Sequence, residues 1–503
     1  MSTEQQQGEP PVFEDWGDEE GQTLEPEPES PQVIRSVPLR SVPPNPLAEA
    51  GPELTCDLSH TELAQVFIDR HGANWRYITA LGKWLHFNGN YWETDDISRI
   101  SHEVAQFLRT AADTWPVCRG LTAKSHREMK GMPMMGSVRQ AIRENLQITA
   151  IIDQWDTDDY LLGTPTGTID LRTGKLRTAL PQDYITKQTA VSPQRGACPL
   201  WESFLQFLTC GDQKMYNYLK RAFGAALTGD RTDQVIVFLY GQGQNGKGTF
   251  LRMILEAMGS YATTAPSSTF MQQSNEGHPT EMADLLGKRV VIVDEVGPDD
   301  AWNERRIKQV TGGLPIKARY MARDFFSFMP KFFLMVAGNH SPAVRGVGKG
   351  MSRRLHKVPC NAKLADKDKD EALAQKMRAE LPQILAWALE GHVMWQQDRL
   401  TQPESVREAS DQYMSEQDHV ADWIEERCKM APNSRTARTL AYNDFKAWAL
   451  KNSVDNSPTA SRFYEEVENK GYGKVKIIGT RYIVGLELAQ SADEPARDWR
   501  DPD

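Results

Sequence analysis

Six cysteines stand far apart in this 503-residue chain, at Cys56, Cys118, Cys198, Cys210, Cys360 and Cys428, and no pair has a C-x-x-C spacing. That argues against both a disulfide framework and a cysteine zinc site. No run of 18 apolar residues occurs and the N-terminus lacks a basic segment followed by an apolar one, so the chain reads as soluble and cytoplasmic, with no membrane partner. A fixed-period repeat is also missing, which removes solenoid architectures. Bases are nearly absent from the first 54 residues, where Arg35 and Arg40 face twelve acidic residues and ten of the 29 prolines fall. Such a stretch buries too little apolar surface to offset its ordering entropy, so residues 1–54 are expected to form a disordered acidic arm. Its two bases and twelve acids equal the whole chain's net charge of −10, leaving residues 55–503 at zero. The acidic balance therefore does not exclude a nucleic-acid partner, and any contact with one must come from local clusters. The arm itself reads as a solubility tail or as a nucleic-acid mimic.

What is present begins at residue 235. The apolar run Val235 to Tyr240 leads directly into Gly241-Gln242-Gly243-Gln244-Asn245-Gly246-Lys247-Gly248-Thr249. A strand running into a glycine-rich turn with the spacing G-x-x-x-x-G-K is a phosphate-binding loop: successive backbone N–H groups turn toward a triphosphate, and the lysine adds a point charge at the β and γ phosphates. Phe250 to Met258 can form a helix whose N-terminal dipole faces the same anion. The hydroxyl residue that normally follows the lysine and reaches Mg²⁺ is replaced by Gly248, so Thr249 or a water is expected to hold the metal.

Three further apolar segments are flanked by polar groups. Val290 to Val293 is a run of four β-branched residues closing on Asp294 and Glu295. A parallel strand delivers side chains at its C-terminal end, where Asp294 would hold Mg²⁺ through its water shell and Glu295 would polarise the attacking water. Phe332 to Gly338 closes on Asn339, whose amide could orient the lytic water against the γ phosphate. Arg353 and Arg354 precede the apolar piece Leu355 to Val358; an arginine supplied across a subunit boundary stabilises charge in phosphoryl transfer.

These four elements, in this order and within about 115 residues, resemble the superfamily 3 helicases, and more closely the phage and plasmid primase-helicase family related to the poxvirus primase-helicase. Besides the loop and the arginine pair, the likeness is carried by Ala283 to Arg289, Thr311-Gly312-Gly313, Ala318-Arg319-Tyr320 and Asn339-His340-Ser341-Pro342. The resemblance implies an α/β fold built on a P-loop, AAA+-like motor, with ATP as substrate, Mg²⁺ as cofactor and a homo-oligomeric ring, a hexamer, on single-stranded or forked DNA. It also implies 3′ to 5′ movement and a hairpin lining the ring's channel, which here would supply Lys308, Lys317, Arg319 and Arg323 beside Tyr320 and Phe325, a basic and aromatic mixture suited to a single strand. Leu314 stands where the family often has an acid.

The remaining chain divides into an α+β domain at 55–195, the motor with flanking helices at 196–398, a winged-helix-like domain at 399–487 and a disordered tail at 488–503. The first contains an aromatic hairpin, Trp84 to Trp92 with a turn at Asn88-Gly89, a second hairpin over Gly167 to Leu176, and a basic stretch around Arg119, Lys124, His126, Arg127 and Lys130. Helices are expected over 418–429, 437–451 and 457–470, followed by a hairpin of 474–478 with 481–486. The candidate phosphate contacts there are Arg435, Arg438, Arg462, Lys470, Lys474, Lys476 and Arg481, although Glu465, Glu466 and Glu468 on the third helix would repel phosphate, so this wing binds either DNA or protein. No paired-carboxylate primer-synthesis site is evident, which places any primase on another chain. The expected activity is that of an ATP-driven replicative helicase of a phage, prophage or plasmid in a bacterial cytoplasm; the alternative is an ATP-dependent origin-binding initiator or switch without processive unwinding.

Overall fold

The computed structural model describes residues 59–489 apart from 115–121, 274–278, 322–323, 345–348, 366–368, 453 and 455–456. The acidic arm, the chain from 490 onward, Cys56, Cys118, Arg119 and Arg323 lie outside the described residues. The described chain forms two compact units, one of residues 59–157 and 178–186, the other of 158–177 and 187–489.

In the smaller unit, Ser59 caps α1 (His60–His71) by accepting from the Glu62 N–H, and the chain continues through β1 (Trp75–Ile78), β2 (Lys83–Phe87) and β3 (Trp92–Thr94). Helices α2 (Arg99–Thr114), α3 (Ala123–Met129) and α4 (Met132–Glu144) and strand β4 (Thr149–Ala150) complete it. The sheet order is β3-β2-β1-β4. Strands β2 and β3 are the expected aromatic hairpin, turned at Gly89, whose φ of 103° suits glycine. Within the basic stretch on α3, His126 and the neighbouring Lys130 both bind Asp113, at 3.1 and 2.5 Å.

The larger unit opens with β5 (Leu161–Thr164), β6 (Gly167–Asp170) and β7 (Lys175–Arg177), an antiparallel sheet that contains the second expected hairpin. This hairpin groups with the larger unit, so a domain spanning 55–195 is not one compact body: residues 158–177 leave it and 178–186 return. Helices α5 (Pro199–Leu208) and α6 (Gln213–Ala226) lead into β8 (Ile236–Tyr240), followed by α7 (Lys247–Met258), β9 (Ala262–Thr264), α8 (Pro279–Ala283) and β10 (Val290–Val293). Next come α9 (Glu304–Thr311), β11 (Ile316–Ala318), β12 (Phe326–Phe328), β13 (Phe333–Gly338), α10 (Lys349–Ser352) and β14 (Leu355–Pro359). Strands β14-β8-β13-β10-β9 make a five-stranded sheet in which every pair is parallel. Burial on both faces explains why β8, β10 and β13 are unbroken apolar runs rather than alternating ones.

Helices α11 (Leu373–Met377), α12 (Leu381–Asp398) and α13 (Glu404–Glu416) follow the sheet. Tyr413 and Met414 of α13 sit in the core built on the sheet, and the Trp302 Nε1–H donates to the Tyr413 hydroxyl at 3.1 Å. A boundary at 399 would strip this helix from its core; the chain passes to its last part near Asp418 instead. There α14 (His419–Arg427), β15 (Cys428–Ala437), α15 (Arg438–Lys451), α16 (Ala460–Asn469), β16 (Gly473–Ile477) and β17 (Thr480–Leu488) enclose their own core around Trp423, Phe445 and Phe463. The sheet is β15-β17-β16, and β15 is a strand that the sequence pattern did not suggest.

Candidate nucleotide site and nucleic-acid hairpin

The loop after β8 is held at both ends by its neighbours in the sheet. The Gly241 N–H donates to the Gly338 carbonyl at 3.3 Å, and the buried Asn245 amide donates to the carbonyls of Gln242 at 3.0 Å and Cys360 at 2.9 Å. Two glycines are required by this path. A Cβ at Gly241 would lie 2.2 Å from the Cys360 carbonyl oxygen, and Gly246, at a φ of 87°, would bring one within 2.8 Å of the Phe204 ring. Gly243 faces open space, with nothing within 4 Å of a Cβ there.

Lys247 opens α7 with only 6% of its surface exposed. Its ammonium donates to three neutral oxygens: the Gly241 carbonyl at 2.5 Å, Asn245 Oδ1 at 2.9 Å and Asn339 Oδ1 at 3.1 Å. Burial lowers its pKa, with Asp294 among the groups opposing that shift. A buried ammonium held by neutral oxygens alone gains most from an anionic ligand, which would offset the cost of its burial.

Asp294 and Glu295 follow β10 and are exposed at the same, C-terminal, edge of the sheet. A Cβ on Gly248 would stand 3.5 Å from Asp294 Oδ1, so the missing hydroxyl position after the lysine faces this carboxylate. The structure thus brings Lys247, Gly248, Asp294 and Asn339 together, with Glu295 beside them and half-buried Thr249 on the first turn of α7. Among the described residues no group of three or more His, Cys, Asp or Glu side chains is placed to hold a metal. One carboxylate at a phosphate loop suits Mg²⁺, which keeps most of its waters and takes its other ligands from phosphate oxygens.

Arg353 and Arg354 stand at the opposite edge, before β14, whose residue Leu355 pairs with Ile236 at the start of β8. Arg354 is 7% exposed and fully engaged, donating to Thr311 Oγ1 at 2.9 Å, the Gly350 carbonyl at 2.7 Å and Gln234 Oε1 at 2.9 Å. Arg353 is exposed and donates to the same Gln234 oxygen at 2.9 Å. Neither reaches this chain's own loop, which lies one strand length away. Sequence reasoning missed Gln234, and it did not connect Thr311 to Arg354, since no local pattern ties either residue to arginines more than forty positions on. It also missed Lys369 and Leu364: with its amide turned to satisfy both, Gln244 donates to the Leu364 carbonyl at 3.3 Å and accepts from Lys369 Nζ at 2.9 Å.

The segment between the acidic and amide-bearing strands does contain a hairpin, β11 with β12. Lys317 is exposed on β11, and the Arg319 guanidinium lies 4.9 Å from the centre of the Phe325 ring, which is 59% exposed. Tyr320 stacks on Phe326 and points its hydroxyl to the Ala283 carbonyl, packed against the core, so the accessible ring at this tip is that of Phe325. Lys308, on α9, is exposed and pairs with Glu304 at 3.2 Å.

Four of the seven basic candidates in the C-terminal part are held by acids of the same chain. Arg438 and Lys474 bind Glu468, Lys470 binds Asp418, and Arg462 binds Glu466 at 3.3 Å and Glu304 of α9 at 2.9 Å. Arg435, Lys476 and Arg481 are exposed.

Residues 64–210 match the family described as D5 N terminal like, and residues 239–354 match a family of unknown function, DUF5906. The chain is similar to "Putative helicase L207/L206" of Acanthamoeba polyphaga mimivirus, at 23% identity over 67% of this chain and 38% of that protein. It is similar to "Putative helicase 184R" of Invertebrate iridescent virus 6 at 22% identity, over 62% of this chain and 36% of that protein. The chain thus spans little more than a third of the length of these curated relatives. Among solved structures, the apo C-terminal region of NrS-1 superposes with a TM-score of 0.48 at 10% identity, covering 85% of this chain and 99% of that one. The D5 N terminal like match and the helicase-named viral relatives support a likeness to the phage and viral primase-helicases.

Proposed function

We propose that the chain is an ATP-driven DNA helicase motor of replication, working as a ring, a hexamer, on single-stranded or forked DNA and moving 3′ to 5′. The observation that carries the reading is the buried Lys247 ammonium, held by three neutral oxygens that include Asn339 and set beside Asp294. A parallel sheet with a phosphate loop after β8 and polar groups at the ends of β13 and of β10 beyond it supports a P-loop, AAA+-like superfamily 3 motor. Three helices with a three-stranded sheet in the C-terminal part support a winged helix.

In this reading the backbone of Gly241 to Gly248 and Lys247 bind the triphosphate, and Asp294 with Thr249 or a water holds Mg²⁺. The ion neutralises phosphate charge when bound. Glu295, exposed at the sheet edge, takes a proton from the attacking water, and Asn339 orients it. Because Asn339 already bonds Lys247, a γ phosphate that draws the ammonium away frees the Asn339 amide to report occupancy to β13. Arg353 serves a neighbouring subunit's site, being the exposed member of its pair, while Arg354 holds the strand edge. Lys317, Arg319 and Phe325 on the hairpin contact the strand.

The test is strand displacement on forked DNA with ATP beside Glu295→Gln, with hydrolysis followed in the presence and absence of single-stranded DNA. DNA-stimulated hydrolysis with displacement, both lost in the variant, is the expected result. Hydrolysis or specific duplex binding without displacement would support an initiator or switch instead.

A further inference from the structure

Gln234 joins the two arginines. It stands two residues before β8, and its Oε1 accepts from Arg353 and from Arg354, each at 2.9 Å. Its backbone is left-handed, at a φ of 52°, a conformation that a long side chain adopts only when its surroundings over-determine it. The loop is pinned there by a main-chain bond as well, since the Ile236 N–H donates to the Arg354 carbonyl at 2.7 Å.

From Arg354 the contacts run on to the hairpin. Its Nε–H donates to the Thr311 hydroxyl, the last residue of α9, which is followed by Gly312-Gly313 and then β11. Its Nη1 donates to the Gly350 carbonyl, and Lys308 of α9 packs so closely on Gly350 that a Cβ there would meet the lysine stem at 3.2 Å. The exposed arginine, the buried arginine and the root of the hairpin thus share one hydrogen-bonded chain whose acceptors are Gln234 and Thr311.

We infer that Gln234 is a positioning residue that couples nucleotide occupancy at the subunit boundary to the nucleic-acid hairpin. The inference rests on the proposed function, in which Arg353 meets a neighbour's phosphates. When Arg353 moves toward that anion, it leaves or strains its bond to Gln234. The same oxygen then binds Arg354 alone, and Arg354 carries the change to Thr311 and the two glycines that let the hairpin swing. A shared acceptor makes the two arginines' positions mutually dependent, which two separate acceptors would not.

Coupling between two ligands is reciprocal, so it is read as the ratio of single-stranded DNA affinity with and without a non-hydrolysable ATP analogue. In the unaltered protein this ratio should depart from one by roughly fivefold or more, the lower range of measured couplings. Gln234→Gly removes the amide while relieving the left-handed backbone, and Arg354 keeps its bonds to Thr311 and Gly350; each ligand should still bind, with a ratio near one. Gln234→Glu keeps an acceptor for both guanidinium groups and should restore the ratio. A full ratio in Gln234→Gly, or one near one in Gln234→Glu, overturns the inference. So does an unaltered protein that binds both ligands with no mutual effect. A protein that binds neither nucleotide nor DNA defeats the functional reading itself, a distinguishable result.

Discussion

The Lys247 ammonium donates to Asn339 Oδ1 at 3.1 Å, linking the helix after the glycine-rich loop to the end of the neighbouring strand. Removing the two partners should therefore have different consequences. Lys247→Ala deletes the buried charge and should abolish hydrolysis together with tight nucleotide binding. Asn339→Ala leaves the ammonium its bonds to Gly241 and Asn245, so nucleotide should still bind while kcat falls by about 10²-fold or more, the scale for one lost preorganised dipole. Nucleotide titration beside steady-state hydrolysis separates the two. Equal loss of binding in both variants would show that Asn339 only holds the lysine.

The glycines of the loop give a sharper test because they differ in what surrounds them. Gly241→Ala drives a methyl group into the Cys360 carbonyl and should disrupt the loop, whereas Gly243→Ala enters open space and should bind nucleotide nearly as the unaltered chain does. Gly248→Ser places a hydroxyl toward Asp294, where the metal ligand of related loops would stand, and should lower the Mg²⁺ concentration needed for half-maximal hydrolysis. An unchanged Mg²⁺ requirement with normal nucleotide binding would remove Asp294 from the metal site.

Adjacent in sequence, Arg353 and Arg354 occupy different environments. Arg354→Ala removes the buried donor to the Thr311 hydroxyl and the Gly350 carbonyl and leaves Gln234 bonded to Arg353 alone, and should destabilise the larger unit by about 1–3 kcal/mol. Arg353→Ala removes one exposed hydrogen bond and should leave the melting temperature almost unchanged while reducing hydrolysis in the assembled protein. Thermal unfolding and hydrolysis measured across protein concentration distinguish them. A large stability loss from Arg353→Ala would contradict this division of roles.

The strands of the site were legible in the sequence because a parallel strand buried on both faces leaves an uninterrupted apolar run, and each run here stops at the residue proposed to act. Tyr320 shows the limit. Its type and neighbours suggested a base-stacking ring, but whether an aromatic in a short hairpin faces solvent depends on the partner strand, and Phe326 with Ala283 draws it inward. Strand β15 was invisible for the opposite reason: Cys428 to Ala437 is polar, contains Pro432 and slips register between Ala431 and Arg435, so it lacks a period-two pattern. In the C-terminal part, Arg438, Lys470 and Arg462 looked free because Glu468, Asp418 and Glu304 lie 30, 52 and 158 positions away, whereas Lys474 has its partner Glu468 only six positions off.

Acid should weaken the larger unit through two buried histidines. His356 accepts from or donates to the Tyr218 hydroxyl at 2.7 Å, and His392 has Nδ1 at 3.2 Å from the Gly224 carbonyl with no partner for Nε2. Burial pushes both pKa values down to about 4. The folded state therefore favours the neutral rings, while the unfolded chain takes up protons near pH 6.5. Between pH 6.5 and about 4 the unfolded state binds more protons, so this part of the stability is complete above pH 6.5 and is lost as pH falls toward 4. The full loss is about 3 kcal/mol for each ring. Melting temperatures across this range should drop on acidification, and His392→Gln, which cannot take up the proton, should show a shallower drop than the unaltered chain. A melting temperature that stays flat from pH 7 to 4.5 would mean that neither ring is kept neutral by the fold.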